Sequence, residues 1–361
     1  MTTILVLFFG ALVLTLALTP LSKWLAPHIG VMAVPRARDV HARPVPRMGG
    51  VAIFLAVIAM AVLLRARAEF VQLSALLLGA SLMSFLGLVD DRFQLNAYIK
   101  LVVQLGAAVF AWYSGIQISL FQTPLLDLGV TMLWIVGITN AMNFLDNMDG
   151  LLAGISSVVS AFFLVLAVLN GQYLVALLSA AVLGACVGFL FWNLNPANVF
   201  MGDSGSMFLG FVLACIAIKL RFIGQDTSVS WLTPVIVLAL PLFDTTLVSI
   251  SRLRRGKNPL TTPGKDHVSH RIANHGFSKR EAVMMLYLVC GALGVISIIA
   301  SESDMRANML IAAALLVLAA FMLWFMEFGP WKLTHIDWET PKTPQQPNPP
   351  SESINASQSS V

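Results

Sequence analysis

An all-α polytopic membrane protein is the fold class this sequence predicts, and three observations predict it. Of 361 residues, 58% are hydrophobic and only 11% charged, whereas charged residues make up about a quarter of a soluble domain. The apolar residues come in long Leu/Val/Ala runs instead of alternating, which argues against a lipid-facing barrel. The polar residues gather in a few loops that all fall on one side of the runs.

The first run, 1–25, has its first basic residue, Lys23, at the far end. A cleaved signal peptide has the opposite polarity, so this is an uncleaved span with its N-terminus outside. Further runs follow at 49–64, 70–89, 95–114, 126–143, 151–170, 174–192, 205–223, 231–251, 281–300 and 307–329. Each is roughly 17–23 residues, enough to cross a bilayer, which makes about eleven transmembrane helices. The fifth is short, and Pro234 and Pro241 are placed to kink the ninth.

Eleven spans put loops 26–48, 90–94, 144–150, 193–204 and 252–280, with the tail, on one face. That face holds 17 of the 22 Lys and Arg residues; the other has Arg65, Arg67, Lys219, Arg221 and Arg306. The positive-inside rule makes the first face cytoplasmic. Residues 1–330 read as one membrane domain, and 331–361 as a cytoplasmic tail whose Pro/Ser/Gln/Asn-rich end from Thr340 is disordered. Asn355 heads a glycosylation sequon that a cytoplasmic tail would never expose to that machinery. Cys186, Cys215 and Cys290 sit singly in apolar runs, as packing residues. The absence of an internal repeat weakens a transporter built from inverted halves.

The polar loops carry the chemistry. Asn140, Asn143, Asp146 and Asp149 fall at three-residue spacing in NAMNFLDNMDGL, one stripe if helical. Asp90-Asp91 closes the third run; adjacent carboxylates on a helix point in different directions, so one can face a ligand while the other holds a basic partner. In NPANVFMGDSGS, Gly202 and Gly205 flank Asp203 and Ser204 at the start of the eighth run. Small residues there let backbone amides approach phosphate, and Asp203 offers a hard oxygen to Mg²⁺. A plain helix cap is the alternative.

Loop 252–280 is basic, with His267, His270 and His275 interspersed; it has no thiol or well-spaced third ligand for zinc. Arg and His beside an acidic pocket suit a pyrophosphate, although Arg252–Lys257 also fits lipid headgroups. Loop 26–48 carries Arg36, Arg38, His41, Arg43 and Arg47, stiffened by Pro35, Pro44 and Pro46, and could grip phosphate. Asp244 lies roughly 10 Å inside the ninth run, in a structural or supporting role. Together these features suit phosphoryl transfer between a soluble charged donor and a phosphate at the bilayer surface. The competing readings are an ion-coupled transporter using Asp90, Asp146, Asp149 and Asp244, and a lipid-binding scaffold without catalysis.

The combination of Asp90-Asp91, NAMNFLDNMDGL, NPANVFMGDSGS and a His-containing loop closely resembles the polyprenyl-phosphate N-acetylhexosamine-1-phosphate transferases, in the same order over about residues 1–330. The resemblance implies a UDP-amino sugar donor, undecaprenyl phosphate as acceptor, Mg²⁺ (with Mn²⁺ as substitute), membrane lipid as surroundings, UMP as product and a bacterial inner-membrane location. No nucleic-acid partner is expected, and a homodimer is left open. By resemblance Asp203 is the metal ligand, and Asp90, Asp91 and Asp146 are catalytic. Asn143, Asp149, Asn193, Phe200, His267, His270, Arg271 and Arg47 bind substrate, with Asp149 and Phe200 recognising uracil. Ser269 departs from the family, standing where its histidine motif has a middle His. The PLFDT stretch and DHVSHR look more like the WecA/TagO branch, implying UDP-GlcNAc; a UDP-MurNAc-pentapeptide enzyme is the alternative.

Overall fold

The computed structural model describes residues 1–33, 44–63, 70–222, 231–262 and 264–331. Arg36, Arg38, His41, Arg43, Arg65, Arg67 and the tail beyond Trp331 lie outside them.

In a bilayer every backbone polar group must be satisfied within its own segment, which makes helices the default. The chain accordingly forms α1 (Thr2–Ile29), α2 (Gly49–Leu63), α3 (Phe70–Phe93), α4 (Ala97–Tyr113), α5 (Pro124–Leu145), α6 (Leu151–Leu169), α7 (Tyr173–Asn193) and α8 (Asp203–Lys219). It continues with α9 (Leu232–Val237), α10 (Ala239–Arg254), α11 (Val268–Asn274), α12 (Lys279–Glu302) and α13 (Met305–Phe328). Among the described residues, seven helices are long and apolar enough to cross a membrane: α1, α3, α5, α6, α7, α12 and α13. α2 and α4 are shorter apolar helices.

Each apolar run of the sequence coincides with a helix, except the ninth, which is two. The break falls at Leu238, between the two prolines, and its N–H bonds to Pro234 O at 3.1 Å. Pro241 sits in the first turn of α10, where a missing N–H costs nothing. The fifth helix runs four residues longer than its apolar run, from Pro124 at its N-terminal turn to Leu145.

α8 is the axis of the bundle. Every residue from Ser204 to Ile218 is buried, and it packs mainly against α3 and α5, and also against α2. α1, α7 and α6 form a second packed layer, and α12 lies against α6. α13 is almost wholly uncovered by protein. The close approach to α8 depends on glycine: a Cβ on Gly50 would stand 2.1 Å from Gly205 N, and one on Gly87 2.2 Å from Asp203 C. Two helices thereby meet the first turn of α8 backbone to backbone.

One feature has no counterpart in the helical pattern. β1 (Met32–Ala33) and β2 (Val45–Pro46) pair antiparallel, with Met32 opposite Pro46 and Ala33 opposite Val45. The strand is stitched onward: Phe200 N donates to Pro46 O at 2.8 Å, Gly49 N to Phe200 O at 3.0 Å, and Gly50 N to Met201 O at 2.9 Å. This ladder holds Arg47 against the loop that precedes α8.

Candidate active site

The five polar loops meet at one end of the bundle, and the contacts between them define the site. Lys100, one turn into α4, places Nζ 2.7 Å from Asp90 Oδ2 and 3.4 Å from Asp203 Oδ2. Asp90 Oδ1 accepts the Leu95 amide at 2.7 Å. Asp91 turns the other way, as adjacent helical side chains must. Its Oδ2 accepts Ser204 N–H at the start of α8 at 3.3 Å, while Oδ1 makes no hydrogen bond and has Arg47 Nε at 3.6 Å. Asp146 follows the last residue of α5 and accepts the Gly202 amide. Gly202 has φ +73, the left-handed region, and a Cβ there would come 2.5 Å from Asp91 Oδ2. Only glycine fits.

Four carboxylates from three separate segments are thus gathered around one helix terminus. The Asp146 carboxyl keeps some surface but lies in a recess where burial, and next the charges of Asp203 and Asp149, push it up to about 7 against the pull of Arg47. Burial works against the Arg47 cation too, but Asp91 foremost, then Asp203, Asp146 and Asp90, more than offset it and raise its pKa. The sequence suggested that α8's first amides would be left for phosphate. In the structure Asp91 takes the amides of Asp203 and Ser204, and Asp146 that of Gly202 just before the helix, so carboxylates fill that anion position.

Asn143 contacts the Asp203 carboxylate and donates Nδ2–H to Ser206 Oγ at 2.7 Å. Asn140, a turn deeper, donates to Gln104 Oε1 at 2.7 Å; it shares the stripe but joins α5 to α4. Asp149 Oδ2 is held by Asn195 Nδ2 at 2.9 Å and Ala197 N at 3.1 Å, leaving Oδ1 uncommitted by them. The Phe200 backbone is part of the strand ladder.

Two predicted substrate ligands are placed differently. Asn193 is 4% exposed and bonds the Gly150 amide and the Val199 carbonyl at 3.0 and 2.9 Å, pinning two loops together. Arg271 is 0% exposed. It donates to Asp266 O, Ser251 Oγ and Met326 O, and pairs with Glu327 Oε2 at 2.7 Å. Both are buried struts in this structure, because a polar group sealed in a membrane protein must spend its hydrogen bonds on the protein.

The histidine loop docks on the same end. Asp244 accepts from His267 Nδ1 at 2.7 Å and from the Val268 amide at 2.8 Å. The His267 ring meets Phe144 edge-on and lies 6.2 Å from His270. Burial, then the charges of His267, Lys265 and Lys279, hold His270 down to about 4, so it is neutral at pH 7. Ser269, where the family pattern has His, donates to Asn147 Oδ1 at 2.6 Å and ties α11 to the loop after α5. Arg280 reaches Asn195 O from α12 at 2.9 Å.

Lys100 is the main residue sequence reasoning missed. A lone lysine one turn inside an apolar run is itself a functional-site signal, although a cation near a helix end also serves the positive-inside rule. The acids' convergence at one end, with the deeper Asp244 paired, does not suit a transporter, whose sites lie near the bilayer midplane.

A divalent cation fits this donor set. Among the described residues no three His, Cys, Asp or Glu side chains could hold an ion by themselves. Mg²⁺ does not require that: it binds one or two carboxylates and completes its shell with phosphates and water. The Asp90–Asp203 pair, bridged by a cation only from Lys100, and the Asp91 oxygen without a hydrogen bond are hard oxygen donors of the right kind.

Known proteins show the chain's family. Residues 73–221 match the model for glycosyl transferase family 4. Over 323 residues, 87% of this chain and 89% of its relative, the sequence is 36% identical to a Bacillus subtilis (strain 168) protein named probable undecaprenyl-phosphate N-acetylglucosaminyl 1-phosphate transferase. It is 33% identical over 359 residues to the decaprenyl-phosphate N-acetylglucosaminephosphotransferase of Mycolicibacterium smegmatis (strain ATCC 700084 / mc(2)155), covering 89% and 88% of the two chains. A Salmonella typhi undecaprenyl-phosphate alpha-N-acetylglucosaminyl 1-phosphate transferase is 28% identical over 327 residues, 87% of this chain and 88% of that one. With similarity running along most of its length, and with the ordered motifs that first suggested it, the chain belongs to glycosyl transferase family 4, among the polyprenyl-phosphate sugar-1-phosphate transferases.

Proposed function

We propose that this protein transfers N-acetylglucosamine 1-phosphate from UDP-GlcNAc to undecaprenyl phosphate and releases UMP. The reaction takes place on the cytoplasmic face of the bacterial inner membrane, with the N-terminus outside and residues 1–330 as the catalytic domain. The observation that carries it is the meeting of Asp90, Asp91, Asp146 and Asp203 with Lys100 and Arg47 around the first turn of α8. The relatives' names supply the sugar and the acceptor class.

Asp203 would hold the Mg²⁺ with Asp90 or Asp91 nearby, and the ion when bound supplies charge neutralisation for the donor's pyrophosphate. Arg47 and Lys100 hold the acceptor phosphate against the acids. A lipid monophosphate with a second pKa near 6 is mostly dianionic at pH 7. It therefore needs no strong base, and its oxygen attacks the donor's β-phosphorus as the bond to UMP breaks. Asp90 positions, and Asp146, poised near 7, takes up the acceptor's residual proton when there is one. A covalent aspartyl-phosphate is disfavoured: both oxygens of Asp90 are engaged, by Lys100 and the Leu95 amide, and the Asp91 side chain is only 1% exposed. Asp149 faces the uracil with Phe200, and His267, His270 and Asn143 line the donor side, with Asn193 and Arg271 supporting their loops.

The test is purified protein in detergent with radiolabelled UDP-GlcNAc, undecaprenyl phosphate and Mg²⁺. Lipid-linked label is expected, abolished by EDTA, restored by Mg²⁺ or Mn²⁺, and driven back to UDP-GlcNAc by added UMP. Label from UDP-MurNAc-pentapeptide but not UDP-GlcNAc would overturn the donor assignment. No label from any donor would overturn the reaction.

A further inference from the structure

We infer that Asp244, a buried carboxylate on α10, is a positioning residue that fixes the ring of His267 with Nδ1–H toward itself, and so presents Nε2 as an N–H donor to the diphosphate of the nucleotide sugar. The inference rests on the transferase reading and adds to it the means by which one side chain is aimed.

The geometry begins with what a buried carboxylate can do. Asp244 is 1% exposed, and a buried acid persists only where partners satisfy it. Both its oxygens are used, Oδ1 by the Val268 amide at 2.8 Å and Oδ2 by His267 Nδ1 at 2.7 Å. A carboxylate in its ionised form only accepts, and on that ground the shared proton is assigned to Nδ1. The other ring nitrogen, Nε2, has no hydrogen-bond partner among the described residues. The ring cannot turn freely, because Phe144 meets it edge-on and the α11 backbone that bears it is clamped by Ser269 on Asn147.

Charge then selects the ligand. The charged groups nearest this pair of histidines are Asp244 on α10, the Lys265 and Lys279 cations that bear on His270, and Asp266, whose charge is matched by Arg252 and Arg255 at 2.9 and 2.8 Å. With Asp244 on Nδ1 and two lysine charges beside the histidine pair, an anionic ligand at Nε2 completes the arrangement. Of the donor's parts only the diphosphate is anionic. A carboxylate–imidazole pair of this kind orients the ring and fixes its tautomer, as it does where a histidine binds a metal.

The competing explanation is that Asp244 merely caps α11, since His267 at the N-cap makes no capping bond of its own. Histidine ¹⁵N NMR of the full chain in detergent, with His267 assigned by its loss in His267→Gln, separates the two. Nδ1 is expected to be protonated in the wild-type protein, and Nε2 to be protonated also once UDP and Mg²⁺ are added. Asp244→Asn should lower kcat/KM for UDP-GlcNAc about ten- to a hundredfold, the worth of one charge-assisted hydrogen bond, with KM for undecaprenyl phosphate unmoved. In the His267→Gln background the same change should do nothing further. An unprotonated Nδ1 in the wild type, or a full loss on Asp244→Asn when His267 is already absent, overturns the inference. Failure of the wild type to use any donor would instead sink the transferase reading, and the ligand-free NMR would still decide the pairing.

Discussion

Two charged clusters sit side by side at one end of this bundle, and they are built on opposite principles. Around the first turn of α8, four carboxylates face two cations, Lys100 and Arg47, whose side chains are 21% and 39% exposed. Charge there is left over, and one buried oxygen of Asp91 has no hydrogen bond. Around α11, Arg252 grips Asp266 through two nitrogens at 2.9 and 3.0 Å, Arg255 adds a third bond, and Arg271 pairs with Glu327. Arg252 holds the Asp266 carboxyl below its ordinary range in spite of burial. That cluster is sealed and spent. The network around α11 satisfies its charges internally, whereas the one around α8 keeps charge in reserve.

Substitutions can break this contrast. The largest effect is expected from Asp203→Asn, which should cut kcat about a thousandfold, roughly 4 kcal/mol of transition-state stabilisation. Its thermal midpoint in detergent should hold or rise, since one of four crowded acids has gone; a large fall in midpoint would place Asp203 with the structural set. Arg271→Met should do the reverse. Removing one partner of a buried pair costs about 3–5 kcal/mol, at the low end here because Arg254 still meets Glu327 at 2.7 Å. KM for UDP-GlcNAc should stay unchanged at low temperature, and a raised KM would return Arg271 to the substrate.

The pH dependence of stability sharpens the comparison next. Asp146 titrates near 7 in the folded chain against an ordinary 3.8, so the folded state binds the extra proton. Its contribution is full below about 3.8 and is lost as pH rises through 7. His270 lies near 4 against 6.5, so its contribution is full above about 6.5 and is lost as pH falls toward 4. Melting curves across pH should show Asp146→Asn stabilising only on the alkaline side and His270→Gln only on the acid side; flat differences for either would discount the burial argument. The smallest effect belongs to Arg254→Ala. Its guanidinium is 45% exposed in its pair with Glu327, and its loss should cost less than about 1 kcal/mol. A larger cost would mean that the half-exposed pair, and not Arg271, anchors α13.

Much of this was readable in one dimension, and the misses have a common cause. The apolar runs located every helix but the short α11, because bilayer thickness and backbone hydrogen bonding leave little choice. The break at Leu238 was signalled by its flanking prolines. Asp90, Asp91, Asp146 and Asp203 stood out because acids beside membrane spans are scarce. Lys100 escaped because a cation near a helix end also serves topology. Arg271 and Asn193 were grouped with the ligands because a motif names the residues of a loop without saying which of them face inward. The short β ladder that carries Arg47 was invisible, since two-residue strands leave no periodicity to detect.

By itself the sequence determined the helical membrane architecture, the gathering of polar loops on one face, and the set of charged side chains that meet there. These follow from composition and period, which are local properties of the chain. Only the tertiary structure decided which charges are spent and which are kept: Asp91 on the α8 amide, Asp244 on His267, Arg271 on Glu327, Lys100 between Asp90 and Asp203. Each pairing joins residues from different helices, and its worth depends on distance and burial, which spacing along a chain cannot encode.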